Sequence, residues 1–389
     1  AQNRVQYACR VPYGSHEYGC IYHCPAIVFD DATGLRARGS VNEMDFSNTN
    51  FRAGRLAGLF AILSIFALSL MAGGGSLSAQ ELKLDPGKVT GPDSCAECHE
   101  RTLKVWKKSK HATSFKTFPR SKNAKKIAKA MGVRRLKSKS VCLECHFTSA
   151  KVKKKVKPIA GITCESCHGA GRDYIKVHSD YGGKGVNMDN EPAAHKKKRY
   201  DDSEAAGMIR PLHIYDVANN CFGCHTVPNE KLVNVGGHPA GSKFDLVAWS
   251  QGEVRHNVWY SKANKEASAN RKRQLYVVGK VLDLEHALRG LGKATAAGKY
   301  ADAMKARAQG ALQTLEKIVG GVKSAELASI IAAAKSSGMK LGDAGGLNGA
   351  ADKIKAAGRK FAAGQDGSGL ASVDSMIPGS DKYMGKAAK

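Results

Sequence analysis

Beyond residue 24 the chain has no cysteine outside four short motifs, and it has no apolar run of the roughly 20 residues that span a bilayer comfortably. Apart from those motifs it has no internal repeat, which excludes solenoid and propeller architectures. Acidic residues are also scarce: 34 Asp and Glu face 61 Lys and Arg, for a formal charge of +27. So basic a chain points to nucleic acid, an anionic membrane surface or an acidic protein as partner. At 389 residues it is long enough for two or three domains of about 150 residues each.

The longest apolar run, Leu56 to Met71, is 16 residues. Arg52 and Arg55 precede it, and Gly73 to Gly75 and a small-residue stretch ending Ser78-Ala79-Gln80 follow. Residues 44–79 therefore read as a secretory signal peptide, with an uncleaved anchor as the alternative. No cysteine follows the run, so no lipid anchor is signalled. Export argues against nucleic acid as partner and places the chain in the periplasm or outside the cell. A signal peptide begins a protein, so residues 1–43 read as a mis-called upstream segment. The alternative is a metal site around Cys20-x-x-His23-Cys24, with Cys9 nearby; three ligands without a clear fourth carry it weakly.

Past the signal the chain changes character near residue 261. Residues 91–260 hold every motif and many glycines and prolines, with short helix-like stretches between them. Residues 265–365 have the period of amphipathic helices, with one stripe through Leu275, Val278, Val281, Leu282, Leu288 and Leu291. A second runs through Met304, Ala308, Ala311, Leu315, Ile318 and Val319. Breaks at Gly290 to Gly292, Gly320-Gly321 and Gly345-Gly346 divide the region into about four helices, a small antiparallel bundle. The tail, 366–389, is rich in Gly, Ser and Asp and reads as loose. The fold class expected is mainly α, with little regular β structure.

The four motifs are Cys95-Ala-Glu-Cys98-His99, Cys142-Leu-Glu-Cys145-His146, Cys164-Glu-Ser-Cys167-His168 and Cys221-Phe-Gly-Cys224-His225. C-x-x-C-H is the attachment motif of c-type haem: two thiols form thioethers to the vinyl positions of one porphyrin, and the histidine lies beneath the iron. A zinc ribbon uses paired cysteines but needs no histidine directly after each pair. A thioredoxin-like motif needs a strand and helix context that is missing here. Four haem c groups are the cofactors expected, supplying much of the core of the 91–260 region. The seven remaining downstream histidines, His111, His178, His195, His213, His238, His256 and His286, are candidates for the second axial position. No methionine stands out by pattern.

The runs CAECHERTLKVWKKSKHATSF, from Cys95, and GITCESCHGAGRDYIKVH, from Gly161, resemble the tetrahaem cytochromes c of the c554 type, which accept electrons from hydroxylamine oxidoreductase. The resemblance covers about 91–260 and not the helices that follow. It implies distal ligands at His111, within W-x-x-x-x-H, at His178, beyond the third motif, and at His256, near the domain end. It also implies a pairing: His256 over the His99 haem, His111 over the His168 haem and His178 over the His225 haem. In the family the second haem is five-coordinate, its open face covered by a loop that supplies no ligand. Here the corresponding loop is Gly236-Gly237-His238-Pro239-Ala240, so His238 is expected to complete the His146 haem. His195 and His213 read as surface residues, and His286 as structural.

An electron carrier is the function expected, because bis-His iron shuttles electrons with little ligand rearrangement. An enzyme acting on a small nitrogen compound at one open haem is the alternative, and His238 decides between them. A third possibility, a subunit of a haem-bearing assembly, would leave a wide apolar face on the bundle, and the stripes are no wider than an internal core demands. The lysine clusters at 122–139 and 151–157 read as a solvated surface or as a docking face for an acidic redox partner.

Overall fold

The computed structural model describes residues 84–138, 140–259 and 262–388. The readings of 1–43 and of the signal peptide at 44–79 lie outside the described residues. No helix among those described is long and apolar enough to cross a membrane.

The motif region is built from short helices, each carrying or flanking a C-x-x-C-H. Helix α1 (Pro92–Trp106) carries the first motif; Gly91 enters it at φ 93°, where a side chain would be strained, and Pro92 occupies a first-turn position that needs no amide donor. Helix α2 (Lys110–Thr117) is capped by the Ser109 side chain and α3 (Lys122–Ala130) by that of Ser121. The second motif ends in the single turn α4 (Leu143–His146), followed by an antiparallel hairpin of β1 (Thr148–Val152) and β2 (Lys155–Ala160). The third motif forms α5 (Glu165–His168). Helix α6 (Ala193–Ala205) lies between the third and fourth motifs, and α7 (Ile214–His225) ends on the fourth. A helical turn suits the motif because residues three apart share one face, bringing both thiols to the same side with the histidine following.

Two of these segments are tied by one carboxylate. Glu165, 1% exposed, accepts hydrogen bonds from the amides of Thr90 (2.9 Å), Gly91 (2.8 Å) and Gly171 (2.7 Å). It thereby holds the entry to the first-motif helix against the third motif.

Short helices α8 (Glu230–Asn234) and α9 (Leu246–Ser250) lead to four long ones: α10 (Ala269–Lys293), α11 (Lys299–Val319), α12 (Ala325–Ser336) and α13 (Ala344–Ala363). Both predicted stripes face inward, with Val281, Leu282, Leu288, Met304, Ala308 and Leu315 wholly buried. The glycine breaks are only partly where expected. Helix α11 ends at Gly320, but α10 runs through Gly290 and Gly292, and α13 contains Gly345 and Gly346. Gly290 is there for packing: a Cβ would come 2.6 Å from the Met304 sulfur. Gly346 lies in the first turn of α13, its amide bonded to the capping side chain of Asp343.

Two boundaries are corrected. Ile214, Tyr215, Ala218 and Phe222 of α7, and Leu246 and Val247 of α9, lie in the same hydrophobic cluster as the long helices, so the motif region and the bundle share one core and one compact unit. The division near 261 is a change of composition without a division of the core. The tail is also packed: Leu370 and Val373 are buried, Arg273 grips Asp374 through two bonds of 2.7 and 2.6 Å, and Met384 exchanges backbone bonds with Ala248 and Glu253. Its small polar residues reflect close approach: a Cβ at Gly367 or Gly385 would meet neighbours at under 3 Å, and both glycines have positive φ.

His286 is structural. It is buried on α10 and hydrogen-bonded through Nε2 to Asn219 of α7 at 2.8 Å. Burial, with Arg289 and Lys293 nearby, pushes it down to about 3.

Three stability measurements follow. Glu165→Ala leaves three amides without their acceptor and should cost about 3 kcal/mol or more in denaturant unfolding of the holoprotein. Gly358→Ala would put a methyl 2.5 Å from the Tyr215 ring and 2.8 Å from Val281, and should cost about 1–3 kcal/mol by overpacking the α7–α10–α13 contact. His286 binds a proton more readily unfolded than folded, so its contribution is complete above roughly pH 6.5 and declines as the pH falls toward 3, by on the order of 1 kcal/mol per unit. His286→Gln, which keeps a donor toward Asn219, should flatten that acid limb.

Candidate haem centres

The eight motif cysteines form no disulfide, and the motifs lie close to one another. Cys95 of the first and Cys164 of the third are hydrogen-bonded; the shared proton and burial push Cys95 up, while its hydrogen bond holds Cys164 down. Cys167 and Cys221, of the third and fourth, are neighbours; burial pushes Cys167 up to about 11 and Cys221 higher still. Asn220 also donates to the Cys167 carbonyl at 3.0 Å. The fourth-motif imidazole, His225, lies close enough to the second-motif His146 to feel its charge. The motifs therefore neighbour one another in the order first, third, fourth, second.

The histidines come in pairs. The ring centres of His99 and His178 are 6.4 Å apart, those of His111 and His225 6.4 Å, and those of His168 and His256 6.5 Å. Each pair joins a motif histidine to one outside the motifs. The interplanar angles are 12°, 59° and 81°, while the separation hardly changes. Direct aromatic contacts change their spacing as rings tilt. Two imidazoles on opposite sides of one metal behave differently: each nitrogen lies roughly 2 Å from it, which sets the ring centres roughly 6 Å apart whatever the rotation. The pairs fit that constraint.

The other ring nitrogen agrees. Nδ1 of His168 lies 2.9 Å from the Ile209 carbonyl, that of His178 3.2 Å from Tyr174, that of His256 2.7 Å from Val254, and that of His225 3.1 Å from the Ser242 hydroxyl. An imidazole that donates through Nδ1 presents the Nε2 lone pair to a metal, the usual arrangement of a histidine ligand. Burial lowers His99, His111, His168 and His178 and takes His146 and His225 to about 4, which keeps these rings neutral and able to ligate. Two donors near the rings, Trp249 Nε1 and Arg255 Nε, are buried without a hydrogen-bond partner among the described residues, and the Trp249 ring lies 4.8 Å from that of His225. Carboxylates such as those of a haem would satisfy them. The residues present thus fit haem c: thiol pairs for attachment, neutral imidazoles for the iron, and spare donors at the rim.

The pairing differs from the one the resemblance implied. His99 meets His178 in place of His256, His225 meets His111 in place of His178, and His168 meets His256 in place of His111. The turn Val177–Ser179 folds back over the first motif, carrying His178 with it. The 255–259 segment passes over both the first and third motifs: Trp259 packs on His99 at 4.4 Å, Arg101 donates to its carbonyl, and His256 reaches His168. Order along the chain does not reveal which of two adjacent irons such a segment serves.

The second motif stands apart. Phe118 stacks on His146 at 3.9 Å and 12°. His238 is near enough for its charge to help depress His146, and its Nδ1 lies 2.9 Å from the Pro239 carbonyl, but its ring is partly exposed. Its loop is held by His238 N to Leu232 O, and a Cβ at Gly236 would meet that same carbonyl and the Met131 sulfur. His195 Nδ1 lies 2.7 Å from a Glu191 carboxylate oxygen and His213 Nε2 3.0 Å from one of Glu204, outside the pairs. Glu165, Phe118 and Trp249 escaped the sequence reading. Glu165 holds a position at which C-x-x-C-H tolerates any residue, and Phe118 and Trp249 lie far along the chain from the motifs they touch.

The family described as cytochrome c554 and c-prime matches residues 94–169. The cytochrome c-554 of Nitrosomonas europaea is 29% identical over 156 residues, which is 38% of this chain and 61% of that protein, so the likeness spans less than two thirds of the relative. No solved structure matches the chain. With four attachment motifs and three imidazole pairs beside this match, the chain is similar to cytochromes c of the c554 type over residues 94–169.

Proposed function

We propose that the protein is an exported, periplasmic electron carrier bearing four haem c groups, most or all of them bis-His ligated. The observation that carries the reading is the common 6.4–6.5 Å separation of three histidine pairs, each uniting a motif with a distal residue. Haem, when bound, supplies iron that gains and loses one electron at a time. The chain's own residues do the rest. The Nδ1 bonds to Ile209, Tyr174, Val254 and Ser242 fix each ring's orientation, and burial keeps the His168, His178 and His225 rings neutral. The neighbouring motifs support a continuous route in the order first, third, fourth, second. Two neutral imidazoles on an iron leave no position for a substrate, which suits transfer without bond making.

One observation favours a second reading. Among the described residues no second imidazole lies opposite His146 at the 6.4–6.5 Å of the other three pairs, and Phe118 stacks on its ring. Were His238 to stay off the iron, the second haem would be open and could reduce or oxidise a small nitrogen compound.

Electron paramagnetic resonance of the oxidised holoprotein, with reduced spectra recorded with and without carbon monoxide, separates the two. The carrier reading expects a mass corresponding to four haems, wholly low-spin iron and no response to carbon monoxide. His238→Ala should then turn about one iron in four high-spin and open to carbon monoxide. A high-spin quarter already present in the unsubstituted protein would establish the open-haem reading instead.

A further inference from the structure

Between Arg120 and Lys157 there are 14 lysines and arginines and a single carboxylate, Glu144. The second motif sits in the middle of this segment. Elsewhere many of the cations are paired: Lys197 with Asp201, Lys198 with Asp202, Arg289 with Asp352, Lys360 with Glu326. Among the described residues of the 120–157 segment no lysine or arginine has an ion-pair partner. Helix α3 buries Ala124, Ile127 and Ala128 and leaves its lysines outside. Together with the loop that follows, it walls a cleft of about 910 Å³ whose charged lining is Lys125, Lys129, Arg134, Arg135 and Lys137. Like charges collected without counter-charge repel one another, so the arrangement carries a standing cost that an anionic partner would relieve.

The cleft adjoins the second haem site. Pro119 on its wall follows Phe118, whose ring lies on His146, and Lys137 Nζ lies 3.3 Å from the Phe115 ring centre and 5.6 Å from that of Phe147. From Phe147 the chain enters the hairpin, whose tip carries Lys153, Lys154 and Lys155 beside the exposed Val152 and Val156; Lys153 takes a left-handed φ of 55° there. Cations around a small apolar contact, next to a redox centre, make a surface suited to brief and charge-steered encounter.

We propose that this cationic sector is the docking surface of an acidic electron-transfer protein and that electrons cross it by way of the haem held at His146. The proposal rests on the carrier reading. A flat bilayer could not enter a concave cleft. No aromatic ring lines the cleft for a nucleic-acid base to stack on. A protein offering a ridge of carboxylates fits both its shape and its charge.

The test is stopped-flow oxidation of the dithionite-reduced holoprotein by ferricyanide, and separately by the cobalt(III) tris-phenanthroline cation. In the first case one electron turns ferricyanide into ferrocyanide as one haem iron goes from ferrous to ferric. The double variant Arg134→Glu, Arg135→Glu should slow ferricyanide about tenfold at low ionic strength, with no slowing of the cobalt cation and little difference left at about 0.5 M salt. The variant Arg134→Lys, Arg135→Lys should keep the original rate. Poly-glutamate, a stand-in for an acidic protein, should slow ferricyanide in the unsubstituted protein and not in the double glutamate variant. Equal rates in all variants would overturn the proposal while leaving the carrier reading intact. An equal fall with both oxidants would also overturn it, because the substitutions would then act on the haem and not on the surface. Binding to phosphatidylglycerol vesicles that poly-glutamate cannot displace would replace the protein partner with a lipid surface.

Discussion

The carboxylate of Glu165 is the interaction on which the haem region's arrangement depends. It sits between the two cysteines of the third motif and accepts from the amides of Thr90 and Gly91, just before the first motif, and from Gly171, just after its own. A buried charge is costly unless its hydrogen-bonding capacity is met, and here backbone donors meet it from two distant segments. That requirement holds the first and third motifs side by side, with Cys95 and Cys164 in contact. The His99–His178 and His168–His256 pairs follow from it, since both need the turn after the third motif and the 255–259 segment to cover two adjacent motifs at once.

Helix α7 is the second joint. One face ends in the fourth motif, and the other enters the core of the long helices through Ile214, Tyr215, Ala218 and Phe222. Polar contacts reinforce the joint: the Tyr215 hydroxyl donates to Glu285 at 2.5 Å, Glu285 is also bound by Arg289, and His286 bonds Asn219. Close approach is achieved by removing side chains, with Gly358 against Tyr215 and Gly279 against Leu246. The bundle thus braces the fourth motif. Four attachment motifs in so short a stretch leave the polypeptide around them little core of its own, and the helices that follow provide it.

Charge is distributed by the same economy of space. Where helices pack, lysines and arginines find carboxylates: Arg273 with Asp374, Lys280 with Asp245, Arg359 with Asp216. Around the second motif the packing partners are aromatic, Phe115, Phe118 and Phe147, and among the described residues the lysines and arginines have no ion-pair partner. The centre that departs from the pairing pattern is therefore also the one set in the most lysine-rich stretch of the chain.

Much of this was legible in the chain itself. Covalent attachment needs two thiols and a histidine at fixed local spacing, so the motifs could be read without a fold, and helical periodicity marked the inward faces of the long helices because burial there repeats with the backbone. The wider set of candidate ligands was legible as residue types. Which histidine meets which was decided by tertiary structure, because a pair such as His168 and His256 is 88 positions apart and its partnership depends on how three segments cross. Glu165 was silent for the same reason: its donors are 74 and 75 residues away, and nothing local distinguishes a solvated glutamate from one that ties two motifs together. The tail, too, looked loose from its small residues, whereas the structure uses that smallness for contact. Local chemistry is written in adjacent residues; the joining of distant ones is settled only when the chain has folded and each buried polar group must find its partner.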